Sequence, residues 1–336
     1  MSEKELVLQV RNLKTGFETG RTRITAVRDV SFEAYAGRIL GIVGESGCGK
    51  SVTAHSITQL LPRNGTIENG ELLFYDESGG FQDIAQMKPD GKMMRRLRSK
   101  SIGMVFQDPM RSLNPVYSVG SQIMEKLLNY QRMPVKQAKE VVIDLLERLN
   151  IPEAKERFKD YPHQFSGGMK QRIIIAIALV NNPRLLIADE PTTALDVTIQ
   201  AQILDLLKEI QKDYNSAVIL ITHNMGIVAE VADDIAVMYM GRIMERGSTR
   251  QIFSNPAHPY TRALLKSVPV LGLGSAKRLA PIRGVTPDPR FVGSGCSFAP
   301  RCDFADECCE KSLPPEVSLG EGHGVSCHKA AQINSK

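Results

Sequence analysis

The stretch Gly44-Glu-Ser-Gly-Cys-Gly-Lys-Ser51 decides the fold of this chain. It fits the Walker A pattern, in which small residues let the backbone curl so that successive N–H groups face the phosphates of a nucleotide. An apolar run at residues 39–43 precedes it and predicts a buried strand, and residues 52–61 predict a helix that Pro62 stops. A strand, a glycine-rich loop and a helix in this order predict a nucleotide site of the P-loop type.

The residue types of this loop suit the binding of ATP with magnesium. We expect Lys50 to reach the β- and γ-phosphates and the Ser51 hydroxyl to coordinate magnesium. Cys48 is interpreted as a small residue, because nothing else in the sequence marks a thiol reaction there. Phe17 is the candidate for stacking on adenine, with ordinary packing as the alternative. The predicted nucleotide contacts of the loop are Gly44, Ser46, Gly47, Cys48, Gly49, Lys50 and Ser51.

A second apolar run, at residues 185–188, ends in the carboxylates Asp189 and Glu190. The run predicts a central parallel strand that is buried on both faces, with the two carboxylates facing the ligand crevice. Asp189 is suited to hold magnesium, and Glu190 is suited to polarise the water that attacks the γ-phosphate. Beside the Walker A loop, these carboxylates predict ATP hydrolysis.

A third motif, Ser166-Gly-Gly168, precedes a helical run at residues 169–180, so that hydroxyl and backbone donors gather at the positive end of a helix. The stretch Phe165-Ser-Gly-Gly-Met-Lys-Gln-Arg172 resembles the signature sequence of the nucleotide-binding subunits of ABC transporters. The resemblance implies that Ser166, Gly167 and Gly168 contact the γ-phosphate bound by an opposite subunit. It therefore implies a second ABC ATPase subunit, for which we favour a related sister chain.

Three further positions match the same family: Gln107 as the Q-loop, Asp196 as the D-loop, and His223 as the switch histidine. The resemblance implies that His223 hydrogen-bonds the γ-phosphate and that Gln107 serves magnesium together with Ser51 and Asp189. Asn224 follows the histidine where the family usually has Asp. The predicted catalytic residues are Glu190, His223, Gln107 and Lys50.

The composition is that of a soluble cytoplasmic protein of more than one domain, with 336 residues, 42% hydrophobic and 24% charged. No apolar run approaches the roughly 20 residues that cross a bilayer, and the start lacks the apolar segment of a signal peptide. We therefore expect a peripheral protein on the cytoplasmic face of the cell membrane, with the pore supplied by other chains. The formal net charge of +5 is diffuse, and we predict no nucleic acid partner.

The predicted fold class is α/β: a P-loop NTPase core of the RecA-like kind, an antiparallel β layer, an inserted helical subdomain and a small Cys-rich C-terminal domain. Residues 6–32 and 70–75 predict the antiparallel strands. The expected boundaries are a nucleotide-binding domain at residues 1–258 and a C-terminal extension at residues 259–336.

The helical subdomain is expected at about residues 108–180, because residues 119–129 and 135–150 have helical spacing. The resemblance implies that this subdomain touches the permease. Residues 108–115 suit a mobile coupling link. Packing that merely completes the core is the alternative.

A Pro- and Gly-rich tail begins near residue 255, after a predicted hairpin at residues 234–245 that turns at Gly241. The tail resembles the C-terminal extension of ATPase subunits from the dipeptide and oligopeptide import branch, including nickel importers. This implies an ATPase that drives peptide import with two permease subunits and, indirectly, an extracytoplasmic substrate-binding protein. The alternatives are an importer of nickel or another solute, and a soluble ABC protein acting on nucleic acid or ribosomes. The last is disfavoured because the chain has neither a second cassette nor a long coiled-coil insertion.

The tail also holds five of the six cysteines. Disulfides are disfavoured in a cytoplasmic ATPase, and a segment with few large apolar residues could use a metal centre as its core. The gaps are wider than the close pairs of structural zinc, which favours a 4Fe-4S cluster over zinc, and cysteines without metal are the third possibility. The predicted ligands are Cys296, Cys302, Cys309 and Cys327, with Cys308 as the spare thiol. The family spacing implies the choice of Cys309, although a shift of one residue would exchange it with Cys308.

Overall fold

A computed structural model describes residues 5–20, 22–108, 112–193, 195–267 and 282–334. The chain forms two compact units. The first unit comprises Met1–Val7, Ala34–Arg38 and Gln86–Leu220, and the second comprises Leu8–Glu33, Ile39–Ala85 and Ile221–Lys336. Residues 109–111 of the predicted coupling link, and residue 194 beside Asp196, lie outside the described residues.

The second unit contains most of an antiparallel sheet in the order β2-β1-β4-β5. Its strands are β1 (Leu6–Thr19), β2 (Thr22–Tyr35), β4 (Gly65–Tyr75) and β5 (Phe81–Asp83). Strands β1 and β4 pair from Leu8 opposite Phe74 to Phe17 opposite Gly65. This sheet confirms the antiparallel layer that the sequence predicted.

The second unit also contains five strands in the order β11-β12-β10-β9-β3. They are β3 (Ile39–Val43), β9 (Asp234–Tyr239), β10 (Arg242–Ser248), β11 (Glu316–Gly320) and β12 (His323–Ser326). Strand β3 is buried throughout and pairs in parallel with β9, as expected for a P-loop core. The β9–β10 hairpin turns at Met240 and Gly241, whose φ angles of 47° and 79° match a type I′ turn.

The helices of the second unit are α1 (Lys50–Ile57), α8 (Met225–Val231), α9 (Thr249–Ser254), α10 (Pro259–Lys266), α11 (Glu307–Lys311) and α12 (Ala330–Asn334). Helix α1 begins at Lys50, directly after the loop, and ends earlier than the predicted limit at Pro62. The reason is that Gln59 has a φ of 52°, which a right-handed helix cannot continue.

The first unit contains the parallel strands β6 (Ile102–Val105) and β7 (Leu185–Asp189), and residues 217–220 of β8 (Ala217–Thr222). Its helices are α2 (Lys92–Lys100), α3 (Val119–Tyr130), α4 (Val135–Arg148), α5 (Ala154–Arg157), α6 (Gly167–Leu179) and α7 (Val197–Tyr214). Helix α3 packs against α4 and α6. Among the described residues, none of the helices has both the length and the apolar character that a membrane span requires.

Candidate active site

The glycine-rich loop joins the carboxyl end of β3 to the start of α1 in the second unit. A Cβ at Gly44 would lie 2.0 Å from the carbonyl oxygen of Met238, so only glycine fits at this position. Ser46 and Gly47 form the exposed tip of the loop, and Gly49 is the N-cap of α1. The first turn of α1 carries no acidic side chain, so its positive end can face an anion.

Lys50 lies folded along the loop. Its Nζ donates to the carbonyl oxygens of Gly44, at 2.8 Å, and Glu45, at 3.1 Å. Cys48 is buried, and burial raises the pKa of its thiol. A thiol that stays protonated at neutral pH is a poor nucleophile. The loop is therefore arranged for binding an anion, with a buried ammonium group beside a helix N-terminus.

In the first unit, two predicted catalytic residues are in direct contact. The Nε2 of Gln107 donates to Oε2 of Glu190 at 3.0 Å. Glu190 directly follows the buried Asp189, and its φ of 47° places a non-glycine residue in the left-handed region. The Thr193 hydroxyl donates to the same Oε2 at 2.9 Å. Thr193 was not predicted, although a hydroxyl a few residues after a carboxylate is a signal for such a local bond.

The signature motif and the D-loop residue also lie together in the first unit. Ser166 caps α6, since its Oγ accepts from the Met169 N–H at 3.4 Å. Asp196 caps α7 by accepting from the Ile199 N–H at 2.9 Å. A Cβ at Gly168 would lie 2.7 Å from the Ile199 side chain, so the motif packs closely on the start of α7. Ser166 and Gly167 are exposed and accessible to a partner.

Two further predicted residues belong to the second unit. His223 follows the end of β8 and is exposed. The next residue, Asn224, caps α8, and its Oδ1 accepts from the Gly226 N–H at 2.8 Å. Asn therefore performs the capping that Asp could perform at this position. Phe17 is half-buried, and its ring passes close over the backbone of Gly65.

The tail cysteines do not form the predicted metal centre. Among the described residues, no three His, Cys, Asp or Glu side chains are placed to hold a metal ion. The 4Fe-4S cluster predicted at Cys296, Cys302, Cys309 and Cys327 is therefore wrong, as is the zinc alternative.

Three of these thiols belong to apolar clusters, and all four cysteines line one cavity. Burial raises the pKa of all four, to about 11 for Cys327. Cys296 and Cys302 pack against a buried cluster that includes Phe298. Cys327 packs in a separate cluster with Val325. Spacing along the chain could not reveal this arrangement, because it does not fix the direction in which each thiol points.

Two segments of the chain match known protein families. Residues 27–193 match the family described as ABC transporter, and residues 244–309 match the one described as oligopeptide/dipeptide transporter, C-terminal region. The dipeptide transport ATP-binding protein DppD of Bacillus subtilis is 49% identical, over 96% of this chain and 94% of that protein. The oligopeptide transport ATP-binding protein OppD of Salmonella typhimurium is 44% identical, over 97% and 95%.

A similar fold is found among solved structures. The ATP-binding cassette MJ0796, in a dimeric post-hydrolysis state bound to ADP and Pi, has a TM-score of 0.63 and 26% identity over 72% of this chain and 99% of that one. Fold and matches together define an ATP-binding cassette, and hence an ATPase. The chain belongs to the family of ATP-binding proteins of ABC peptide transporters.

Proposed function

We propose that this chain hydrolyses ATP to power the import of dipeptides or oligopeptides through a membrane permease. The observation that carries the substrate class is the match of residues 244–309 to the oligopeptide/dipeptide transporter C-terminal region, in the same chain as the cassette. In this proposal residues 1–258 form the nucleotide-binding domain and residues 259–336 form a C-terminal extension. The subunit acts at the cytoplasmic face of the membrane.

The phosphates of ATP are assigned to the loop of the second unit. Its backbone N–H groups and the start of α1 attract the anion, and Lys50 turns from its loop carbonyls to the β- and γ-phosphates. Asp189, Gln107 and the Ser51 hydroxyl are the proposed oxygen donors for magnesium. When bound, the ion neutralises phosphate charge.

Glu190 is the proposed base that polarises the attacking water. The contacts from Gln107 and Thr193 hold its Oε2 in place. His223 is assigned to the γ-phosphate, and Phe17 to the adenine ring. Glu190 and His223, which are assigned to the attacking water and the γ-phosphate, each follow the end of a strand.

The exposed motifs support assembly with other subunits. Ser166, Gly167 and Gly168 are assigned to the nucleotide of a second ABC ATPase, a related sister chain. The helical residues at about 108–180 are assigned to two permease subunits, with an extracytoplasmic substrate-binding protein as an indirect partner. Large apolar side chains exposed in this segment support the contact, since exposed apolar groups mark interaction surfaces: Val116, Tyr117 and Tyr161.

The Glu190→Gln variant tests the catalytic assignment. We expect it to bind ATP, to lose at least about a hundredfold in hydrolysis rate because the base is neutral, and to accumulate as a closed dimer. Phosphate release and gel filtration with ATP measure both effects. As the control, Thr193→Val keeps the base and should lose much less activity. Hydrolysis at the wild-type rate in Glu190→Gln would refute the assignment.

Uptake by cells tests the substrate class. Cells that lack this chain should lose uptake of labelled di- and oligopeptides, and the wild-type chain but not the Glu190→Gln variant should restore it. Nickel uptake is measured in the same cells as the control. Loss of nickel uptake with unchanged peptide uptake would exclude peptide import.

A further inference from the structure

Arg301 of the C-terminal tail forms an ion pair with the glycine-rich loop at residues 44–51. The guanidinium of Arg301 pairs with both carboxylate oxygens of Glu45, the residue that follows Gly44 in the loop: Nη1 lies 2.6 Å from Oε2, and Nη2 lies 3.0 Å from Oε1. The Arg301 side chain is only 4% exposed, and that of Glu45 is 26% exposed. A bidentate, largely buried Arg–carboxylate pair is strong and fixes orientation.

Arg301 is itself held in place. Its Nε donates to the carbonyl oxygen of Arg283 at 2.7 Å, and its Nη1 donates to the Tyr239 hydroxyl at 3.2 Å. The Thr286 hydroxyl donates to Glu45 Oε2 at 3.0 Å, so a second side chain of the tail contacts the same carboxylate. The guanidinium therefore meets the loop in one orientation.

The backbone of the loop has a separate anchor. The N–H of Glu45 donates to the Tyr260 hydroxyl at 2.9 Å. Tyr260 is fully buried, with its ring centroid 4.7 Å from that of Tyr239 and 5.2 Å from that of Phe298. Tyr260 of the tail, packed between Tyr239 of β9 and Phe298 of the tail, thus fixes the backbone, and Arg301 fixes the side chain.

The negative charge of Glu45 is unfavourable in a loop that receives phosphates, because like charges repel. Burial by itself would raise the pKa of Glu45, but hydrogen bonding and the charge of Arg301 hold it below its ordinary value, with a smaller contribution from Lys50. The carboxylate is therefore ionised at neutral pH. Without Arg301, this negative charge would attract the Lys50 ammonium and repel the nucleotide.

We propose that Arg301 is a positioning residue for ATP: it pairs with Glu45, leaves the Lys50 ammonium for the phosphates, and so makes nucleotide affinity depend on the C-terminal tail. The inference rests on the proposed assignment of the 44–51 loop to the phosphates of ATP. It assigns the tail a part in nucleotide binding that is separate from substrate class.

The test is a double-mutant cycle on the full chain, with Arg301→Gln, Glu45→Gln and the double variant. Titration calorimetry gives the Kd for MgATP, and steady-state hydrolysis gives KM and kcat. Arg301→Gln should raise Kd and KM by about tenfold, with kcat changed by less than about threefold, because an unpaired carboxylate then competes for Lys50. In the double variant a neutral amide replaces that carboxylate, and Kd should return to within about threefold of wild type.

A merely structural role for Arg301 gives a different pattern. In that case the double variant would bind ATP no better than Arg301→Gln, which would overturn the proposal, as would an unchanged Kd in Arg301→Gln. If Arg301→Gln does not fold, Arg301→Met takes its place: it keeps the length of the side chain and removes the charge, and an unchanged Kd in a folded Arg301→Met refutes the proposal.

Two controls separate this inference from the proposed function. Arg290→Gln removes an arginine of the same tail that pairs with Asp288 on the surface, and it should leave Kd unchanged. Lys50→Ala should weaken ATP binding if the loop receives the phosphates. Wild-type ATP affinity in Lys50→Ala would refute the loop assignment itself, whereas weakened binding there beside an unchanged Arg301→Gln would refute only the role of Arg301.

Discussion

Gly44 and Glu190 are constrained by backbone geometry as well as by the chemistry of their side chains. At Gly44 the chain passes so close to the Met238 carbonyl that a side chain has no room. At Glu190 a charged residue occupies a left-handed backbone conformation that non-glycine residues rarely adopt. Strain of this kind persists where the surrounding structure holds it, and it is concentrated at functional sites.

The pair Gly44→Ala and Gly47→Ala tests the constraint on the loop. A Cβ at residue 44 would overlap a backbone oxygen, whereas at residue 47 no atom lies within 4 Å and only the φ of 78° resists substitution. We expect Gly47→Ala to cost about 1 kcal/mol of unfolding free energy and Gly44→Ala to cost more and to abolish ATP binding. Urea unfolding and nucleotide titration measure this. Equal effects of the two changes would contradict the steric argument.

At the scale of elements, helix starts carry the predicted site residues. Ser166 caps α6, Asp196 caps α7, and Asn224 beside His223 caps α8. The same side chain thus satisfies backbone N–H groups and lies at the positive end of a helix dipole. A substitution at such a position can reduce stability and activity by different mechanisms, which a conservative partner variant separates.

Asp196 allows that separation. Asp196→Ala removes the acceptor for the Ile199 N–H and should cost about 1 kcal/mol of unfolding free energy, whereas Asp196→Asn keeps an N-cap and should cost much less. Chemical unfolding of the full chain makes the comparison. If ATP hydrolysis falls equally in both variants, the carboxylate has a role beyond capping. Equal stability of Asp196→Ala and wild type would contradict the assigned cap.

For the molecule as a whole, the C-terminal tail completes the core of the second unit. Glu245 of β10 is fully buried and accepts from the N–H groups of Ala257 and His258 at 2.7 and 3.0 Å, while His323 of β12 lies 2.9 Å from it. A buried carboxylate left without partners would be costly. His323 of β12 therefore gives a third contact to a buried carboxylate that lies far from it in sequence.

Global stability should depend on pH through His258. Burial lowers the pKa of His258 to about 3, so the folded chain keeps the ring neutral while the unfolded chain takes up a proton below its ordinary value near 6.5. The unfolding free energy is therefore highest above about pH 6.5, and it falls as the pH decreases from there toward 3. Between pH 7 and 5 the wild type should lose about 2 kcal/mol from this group.

Unfolding measured across that pH range tests the effect. His258→Asn keeps an acceptor for the Tyr260 N–H, which now bonds to Nδ1 at 3.0 Å, and removes the titration. Its unfolding free energy should decline less steeply than that of the wild type, whatever its value at pH 7. Parallel curves for the two proteins would show that His258 does not control the pH response.

The sequence alone determined the strand Ile39–Val43, the loop, the β9–β10 hairpin and the cassette family, because short-range rules of periodicity, turns and phosphate binding fix these features within a few neighbouring residues. Tertiary structure decided the rest. It placed Cys296 and Cys302 in apolar packing, paired β12 with β10, and brought Arg301 to Glu45 across 256 positions of the chain. Such contacts depend on how whole elements pack against one another, and no local pattern of residues specifies that packing.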